Sequence, residues 1–339
     1  MRIRIGLIGA GVGALLASSF ALAQTTLAFS SFLPPGNHIV AKTLVPWAEQ
    51  VEKATSGRVK IRMLAKPVAA PPAAFEAVRD GSADIAYGVQ GLSPGRFYSY
   101  QVAEMPFLAK SSEALSAAYW RVQEKLLSNT GEYTGAKLLT VFTTSAFQIH
   151  TTRVPIRRLS DFKGLKIRVS GGVQLDIADR LGIVPVLQPI TQAYELLSGG
   201  VADGIGGPTQ LLRDFKLTSV VRHTTIFPQG MNFSTFFFVM NQASFNALSQ
   251  ADRDAIMAVS GEALARIAGR NFDSADEETL AQMKASPASI ETASPELIRD
   301  FRAAVLPVES KWIQDVKAKG LDGQALLAAL RGEIRTLEK

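Results

Sequence analysis

Leu159-Ser160-Asp161-Phe162-Lys163-Gly164-Leu165-Lys166-Ile167-Arg168-Val169-Ser170-Gly171-Gly172 is the stretch that sets the expectation for the fold. A turn built on Ser160, Asp161 and Gly164 feeds a short strand, and two glycines end it. Leu165, Ile167 and Val169 alternate as one apolar face, so Arg168 points the other way, to solvent or to an acid. The residues alone leave both open. A guanidinium at a strand end, before a Gly-Gly turn that opens into a helix, suits two-pronged capture of a carboxylate. The free N–H groups of that helix's first turn would add anion affinity.

Outward from this stretch, strand and helix patterns alternate, which predicts an α/β fold with a largely parallel sheet. A first unit is expected to hold strands over 26–31, 59–64, 83–87 and 138–142, and helices over 38–53, 75–79 and 113–128. Pro46 should kink or restart the first of these helices. A second unit runs from about 146 to 232, with strands over 165–169, 184–187 and near 220–227, and helices over 173–181 and 192–197. The chain then returns through a hydrophobic strand over 233–240. Two α/β lobes joined by strands that cross and recross describe a hinged binding protein with a cleft between the lobes. Lobe I is expected to take 24–145 plus 233–270, and lobe II 146–232 plus 271–339. Ser249-Gln250-Ala251-Asp252 opens a helical stretch with no proline before Pro287. It would form one helix of roughly 50 Å, or two broken near Gly269. A last amphipathic stretch over 297–319 is expected to kink or divide at Pro307.

At 339 residues the chain is long enough for two domains, and 47% hydrophobic content describes a globular protein. Cysteine is absent, which excludes disulfides, thiolate nucleophiles and thiolate metal sites. His38, His150 and His223 have no ligand spacing, so no metal site is expected. The net charge of +6, or +4 without Arg2 and Arg4, suits attraction of small acids and argues against nucleic acid. Residues 1–23 carry Arg2 and Arg4, then an apolar run from Ile5 to Leu22, then Ala21-Leu22-Ala23. This is the layout of an export signal cleaved after Ala23. Gly9-Ala10-Gly11-Val12-Gly13-Ala14 also matches a dinucleotide fingerprint, but that fingerprint needs an acid about 20 residues on. The first acidic residue is Glu49.

Two further matches are rejected on chemistry. Gly91-Leu92-Ser93-Pro94-Gly95 has the form of a hydrolase nucleophile elbow, yet the residue after the serine must donate its N–H and Pro94 has none. The cluster Arg153, Arg157, Arg158, Lys163 and Lys166 lacks interleaved aromatics and is expected to be a solvated surface or a docking face.

The segment Asp161–Val169 (DFKGLKIRV), with VADG at 201–204 and AVRDGSADIA at 77–86, resembles the solute-binding proteins of tripartite ATP-independent periplasmic (TRAP) transporters. The likeness implies a two-lobed periplasmic protein with a long lobe-spanning helix, no cofactor and no catalysis. Its partners would be a small organic acid and membrane permease subunits, and it would be a monomer or a dimer. It also implies that Arg168 clamps the ligand's carboxylate. Many members carry a second arginine about 20 positions earlier; here that position is Gln148, near His150, so a single carboxylate is expected, with His150 a possible donor. Gly171 and Gly207 stand where polar side chains are common, which implies a roomier site. Tyr87, Val89 and Gln90 are placed on the first lobe's wall, and the return strand's phenylalanines, Phe236 among them, on an apolar wall. The ligand expected is a monocarboxylate with a bulky apolar or aromatic body, such as a 2-oxo or 2-hydroxy acid. A sugar acid is the alternative within the family. An exported α/β enzyme acting on an organic acid, with Arg168 as clamp and His150 as acid or base, is the alternative outside it; a sensory ligand carrier on the same fold is a third.

Overall fold

The computed structural model describes residues 24–93, 95–285 and 288–339. The expected export signal lies outside the described residues, as does Pro94 of the rejected hydrolase match.

Two sheets organise the chain. The first holds β1 (Thr25–Ser30), β2 (Val59–Met63), β3 (Ile85–Val89), β4 (Ala136–Thr143) and β10 (Thr235–Asn241), in the order β2-β1-β3-β10-β4. The second holds β5 (Gln148–Thr151), β6 (Lys166–Val169), β7 (Val184–Leu187), β8 (Gly204–Gly207), β9 (His223–Ile226) and β11 (Ser289–Thr292), in the order β11-β9-β5-β8-β6-β7. Pairing is parallel except where the chain changes sheet. β10 runs antiparallel to β3 and β4, and β5 antiparallel to β8 and β9. The sheets are therefore mixed, because a strand that leaves one sheet and enters the other arrives with its direction reversed.

Helices α1 (Val45–Ala54), α2 (Ala74–Arg79) and α3 (Ser112–Val122) accompany the first sheet. Helices α4 (Val173–Leu181), α5 (Ala193–Ser198) and α6 (Leu211–Asp214) accompany the second. They are followed by α7 (Gln242–Ala247), α8 (Gln250–Ala258), α9 (Gly261–Met283), α10 (Pro295–Lys317) and α11 (Gly323–Leu337). β10 shows why the first sheet is the core of its half. All seven of its residues are buried, so both faces are covered, and the five residues between Thr235 and Asn241 are apolar, as in a central strand. Phe236, Phe238 and Met240 pack with Phe29 and Trp47 on one face, while Phe237 and Val239 pack with Phe75 and Phe97 on the other. Phe237 fits because β3 places Gly88 beneath it, where a Cβ would overlap the ring.

Pro46 meets the expectation, and the helices differ from it in two other places. Pro46 does restart its helix: a π-helical turn over Val40–Leu44 gives way to α1, with the proline in the first turn, where its missing N–H costs nothing. The stretch after Ser249 is two helices, but they do not break at Gly269. The break comes at Ser260, just ahead of Gly261, whose φ of +57° starts α9. Gly269 instead lets α9 lie directly on the backbone of Ser112. Pro307 does not divide the last stretch, since α10 runs through it unbroken.

At 23 residues, α9 is roughly 34 Å long and touches both halves. The Asp273 carboxylate accepts the N–H groups of Ser112 (2.9 Å) and Glu113 (3.1 Å) at the start of α3. One turn on, Asp276 accepts the Ser145 hydroxyl at 2.7 Å and the Gln210 N–H at 2.6 Å. Met283 at its end packs with Leu197 and Leu217 of the second half. α10 lies on α4 and α11 on α3, so the C-terminal helices also touch both halves.

Candidate functional site

Arg168 is the last residue but one of β6, facing away from Ile167 and Val169, as the alternation requires. It is 3% exposed, and its Nε donates to the Gln188 carbonyl at 2.8 Å. No carboxylate pairs with it among the described residues. Burial pulls its pKa down to about 9, which still leaves it charged at neutral pH. A buried cation without a counter-charge is costly unless an anion meets it.

The guanidinium lines a cavity between the two sheets. Its walls are largely aromatic and aliphatic: Phe32, Phe215, Phe236, Phe272, Ile190 and Leu211. Phe236 is held by a near-parallel stack on Phe142, with ring centroids 5.0 Å apart. Among the described lining residues Arg168 is the one Arg or Lys.

The two halves meet around this cavity. At its rim, Asp214 of α6 accepts His38 Nδ1–H at 2.5 Å and Asn37 Nδ2 at 3.2 Å, both from the loop after β1. Gly91 lies against Ser170, Gly171 and Gly172, so closely that a Cβ on Gly91 would sit 2.9 Å from the Ser170 oxygen and 3.0 Å from the Gly172 nitrogen. Behind them the buried carboxyl of Glu104 accepts from Thr235 N and Oγ1 (both 3.0 Å) and from Val173 N at the start of α4 (3.2 Å). Desolvation raises its pKa to about 8.

Of the residues singled out from sequence, Arg168, Phe236 and Val89 line the cavity. The others do not, each for a local reason. Tyr87 is fully buried one layer deeper, bonded to Ser31 Oγ at 3.1 Å and stacked under Phe32, which does reach the cavity. Gln90 turns the other way and bridges the hydroxyls of Tyr119 and Tyr133. Gln148 is held by the Phe227 N–H at 2.6 Å and belongs to a separate small void. His150 is fully buried, with Nδ1 on Thr224 Oγ1 at 3.0 Å and Nε2 on the Gly207 carbonyl at 3.1 Å. Burial drops its pKa to about 4, so it is a neutral sheet residue with both ring nitrogens already hydrogen-bonded. Gly171 and Gly207 do not enlarge the site. At Gly171, whose φ is +89°, the space belongs to the Gly91 carbonyl; at Gly207 it is filled by Leu211, which becomes cavity wall.

Sequence reasoning missed Asn37, His38 and Gln210, all buried at the cavity. The available signal was their place just past the C-terminal ends of β1 and β8, where open α/β sheets put their ligands.

Residues 29–315 match the family model described as bacterial extracellular solute-binding protein, family 7. The chain belongs to that family. Its members serve TRAP transport as solute-binding proteins and not as enzymes, which removes the enzyme alternative. A TRAP periplasmic solute-binding protein of Bordetella bronchiseptica, solved with bound (R)- and (S)-mandelate, is 39% identical, with a TM-score of 0.90 over 92% of this chain and 99% of that one. A TRAP solute-binding protein from an unidentified marine microbe, specific for aromatic acids and solved with 3-hydroxybenzoate, is 30% identical, with a TM-score of 0.87 over 94% and 100%. The outer membrane transporter protein TsaT of Comamonas testosteroni is 27% identical over 311 residues, 91% of this chain and 92% of that protein. This family-7 protein is therefore a two-lobed α/β binding protein that takes a small organic acid and works with a membrane permease. The family is periplasmic, and no helix among the described residues is long and apolar enough to cross a membrane.

Proposed function

We propose that this family-7 protein captures an aromatic or similarly bulky apolar monocarboxylate, with Arg168 clamping the carboxylate and the two halves closing over the body. The observation that carries the reading is a buried guanidinium with no acidic partner among the described residues, at the edge of an aromatic-walled cavity. A second carboxylate on the ligand would find no second Arg or Lys among the described lining residues, which favours one charge. Mandelate and 3-hydroxybenzoate in the two similar structures support the same class. The lobes correspond to the two sheets, with export by cleavage after Ala23, which N-terminal sequencing of the secreted protein checks.

The test is a thermal-shift panel of carboxylates on the chain from Gln24 onward, with Arg168→Ala beside it. A ligand at 100 times its dissociation constant adds about 2.7 kcal/mol, a rise of roughly 4 °C in a chain of this length. Aromatic monocarboxylates should give that rise, and Arg168→Ala should abolish it. A rise with succinate-like dicarboxylates and none with aromatic acids overturns the proposal, as does a rise that survives loss of Arg168.

A further inference from the structure

His38 and Gln210 face one another's half across the cavity, and both carry polar atoms without a partner. His38 is 8% exposed and Gln210 2%. His38 Nδ1–H goes to Asp214, and its Nε2 is buried with no hydrogen bond. Arg213 Nε faces the same carboxylate at 3.3 Å. In the neutral ring with its proton on Nδ1, Nε2 is an acceptor. The Gln210 side-chain amide makes no hydrogen bond within the protein among the described residues, and its Oε1 is likewise buried and unpaired. Two unpaired acceptors buried at a largely apolar cavity are a standing cost, which a donor from the ligand removes.

We infer that His38 Nε2 and Gln210 Oε1 form a subsite that takes a hydroxyl hydrogen of the bound acid. This rests on the reading of Arg168 as the carboxylate clamp, and it adds a requirement that the clamp does not impose. Arg168 has donors only, so it can meet a hydroxyl or an oxo oxygen alike but cannot take a hydroxyl hydrogen. Acceptors can, and an oxo group or a bare methylene offers them nothing. The subsite also joins recognition to closure. The ring that meets the hydroxyl from the first sheet's side is the ring that reaches Asp214 on the second, and Gln210 is held by the α9 carboxylate of Asp276.

Calorimetric titration of two matched pairs tests this: mandelate against phenylacetate, and 3-hydroxybenzoate against benzoate. The chain from Gln24 onward should bind the hydroxylated member of at least one pair about tenfold more tightly. Gln210→Leu should reduce that ratio to within about twofold. His38→Asn, whose amide can still reach Asp214 but lacks Nε2, should reduce it in the same direction. A preference absent from both pairs in the unaltered protein overturns the subsite, as does a preference that both variants retain. Failure of all four acids to bind would instead strike the Arg168 clamp, so the two readings fail separately. A melting scan of each variant shows that it is folded.

Discussion

Replacing Gly91 by alanine tests closure with a single methyl group. Gly91 lies outside the left-handed region, so alanine brings no backbone strain, unlike at Gly171. The new Cβ would stand 2.9 Å from Ser170 O, 3.0 Å from Gly172 N and 3.1 Å from Gly171 C. Ordinary contacts of this kind begin near 3.4 Å. All three atoms are backbone, so no side chain can swing aside, and the halves must part by a few tenths of an ångström. An added methyl in a packed interior costs about 1–3 kcal/mol. The low end applies here, because the halves can separate and relieve the overlap. At 1.4 kcal/mol per tenfold, a cost of about 1–2 kcal/mol weakens binding roughly 5- to 30-fold. That cost falls on the closed form alone. The melting temperature without ligand should therefore move by no more than roughly 2 °C. Calorimetric titration with whichever aromatic acid gives the largest thermal shift measures the affinity. A dissociation constant within twofold of the parent refutes the reasoning, since the Gly91–Gly171 approach would then play no part in closure.

Other outcomes follow from the same geometry. Glu104 is held near 8 against an unfolded value near 4.5, so the folded protein retains a proton that the unfolded chain gives up. Its contribution is present below about pH 4.5 and is lost as pH rises toward 8. Melting temperature should fall across pH 5–8, and Glu104→Gln should flatten that fall; an equally steep profile in the variant would remove Glu104 as the cause. Phe237→Ala leaves a cavity opposite Gly88 and should cost about 3–5 kcal/mol, read as a drop of roughly 5–8 °C in melting temperature. Gly207→Ala should push Leu211 into the cavity, so binding of the larger aromatic acids should weaken more than binding of benzoate. Equal weakening would mean that the sheet, not the cavity, had shifted.

Arg168 was legible because three neighbours, Leu165, Ile167 and Val169, fix which way it points. α4 was legible to the residue, Val173–Leu181, because Gly172 and Gly182 bracket an amphipathic run. What failed was direction and depth. Gln148 and His150 were reached by counting back from Arg168, without recognising that they stand on β5, a strand of four residues whose partners hold both side chains. β8, Gly-Ile-Gly-Gly, has no strand signature at all. It is a strand because Gly204 must pass close to the His150 carbonyl, a long-range fact invisible in local pattern. Tyr87 and Val89 share a face, yet only Val89, at the strand's end, reaches the cavity. Gly207 shows the same limit from the other side, since an absent side chain says nothing about which neighbour fills the space.

Asp273 and Asp276 lie one turn apart on α9, about 4.5 Å along its axis. The first is tied to the start of α3, the second to Ser145 and the α6 entrance. Both halves are thus tied to a single turn of one helix, which makes that turn a natural pivot if they part. A pivot moves little at its centre and much at its extremities. The arm of α9 beyond Asp276 packs on the second half through Met283, so if the halves turned about Asp273 and Asp276, a small movement at the cleft would become a larger one at the outer surface. A membrane partner resting on that arm would read whether the cleft is open or shut without touching the ligand.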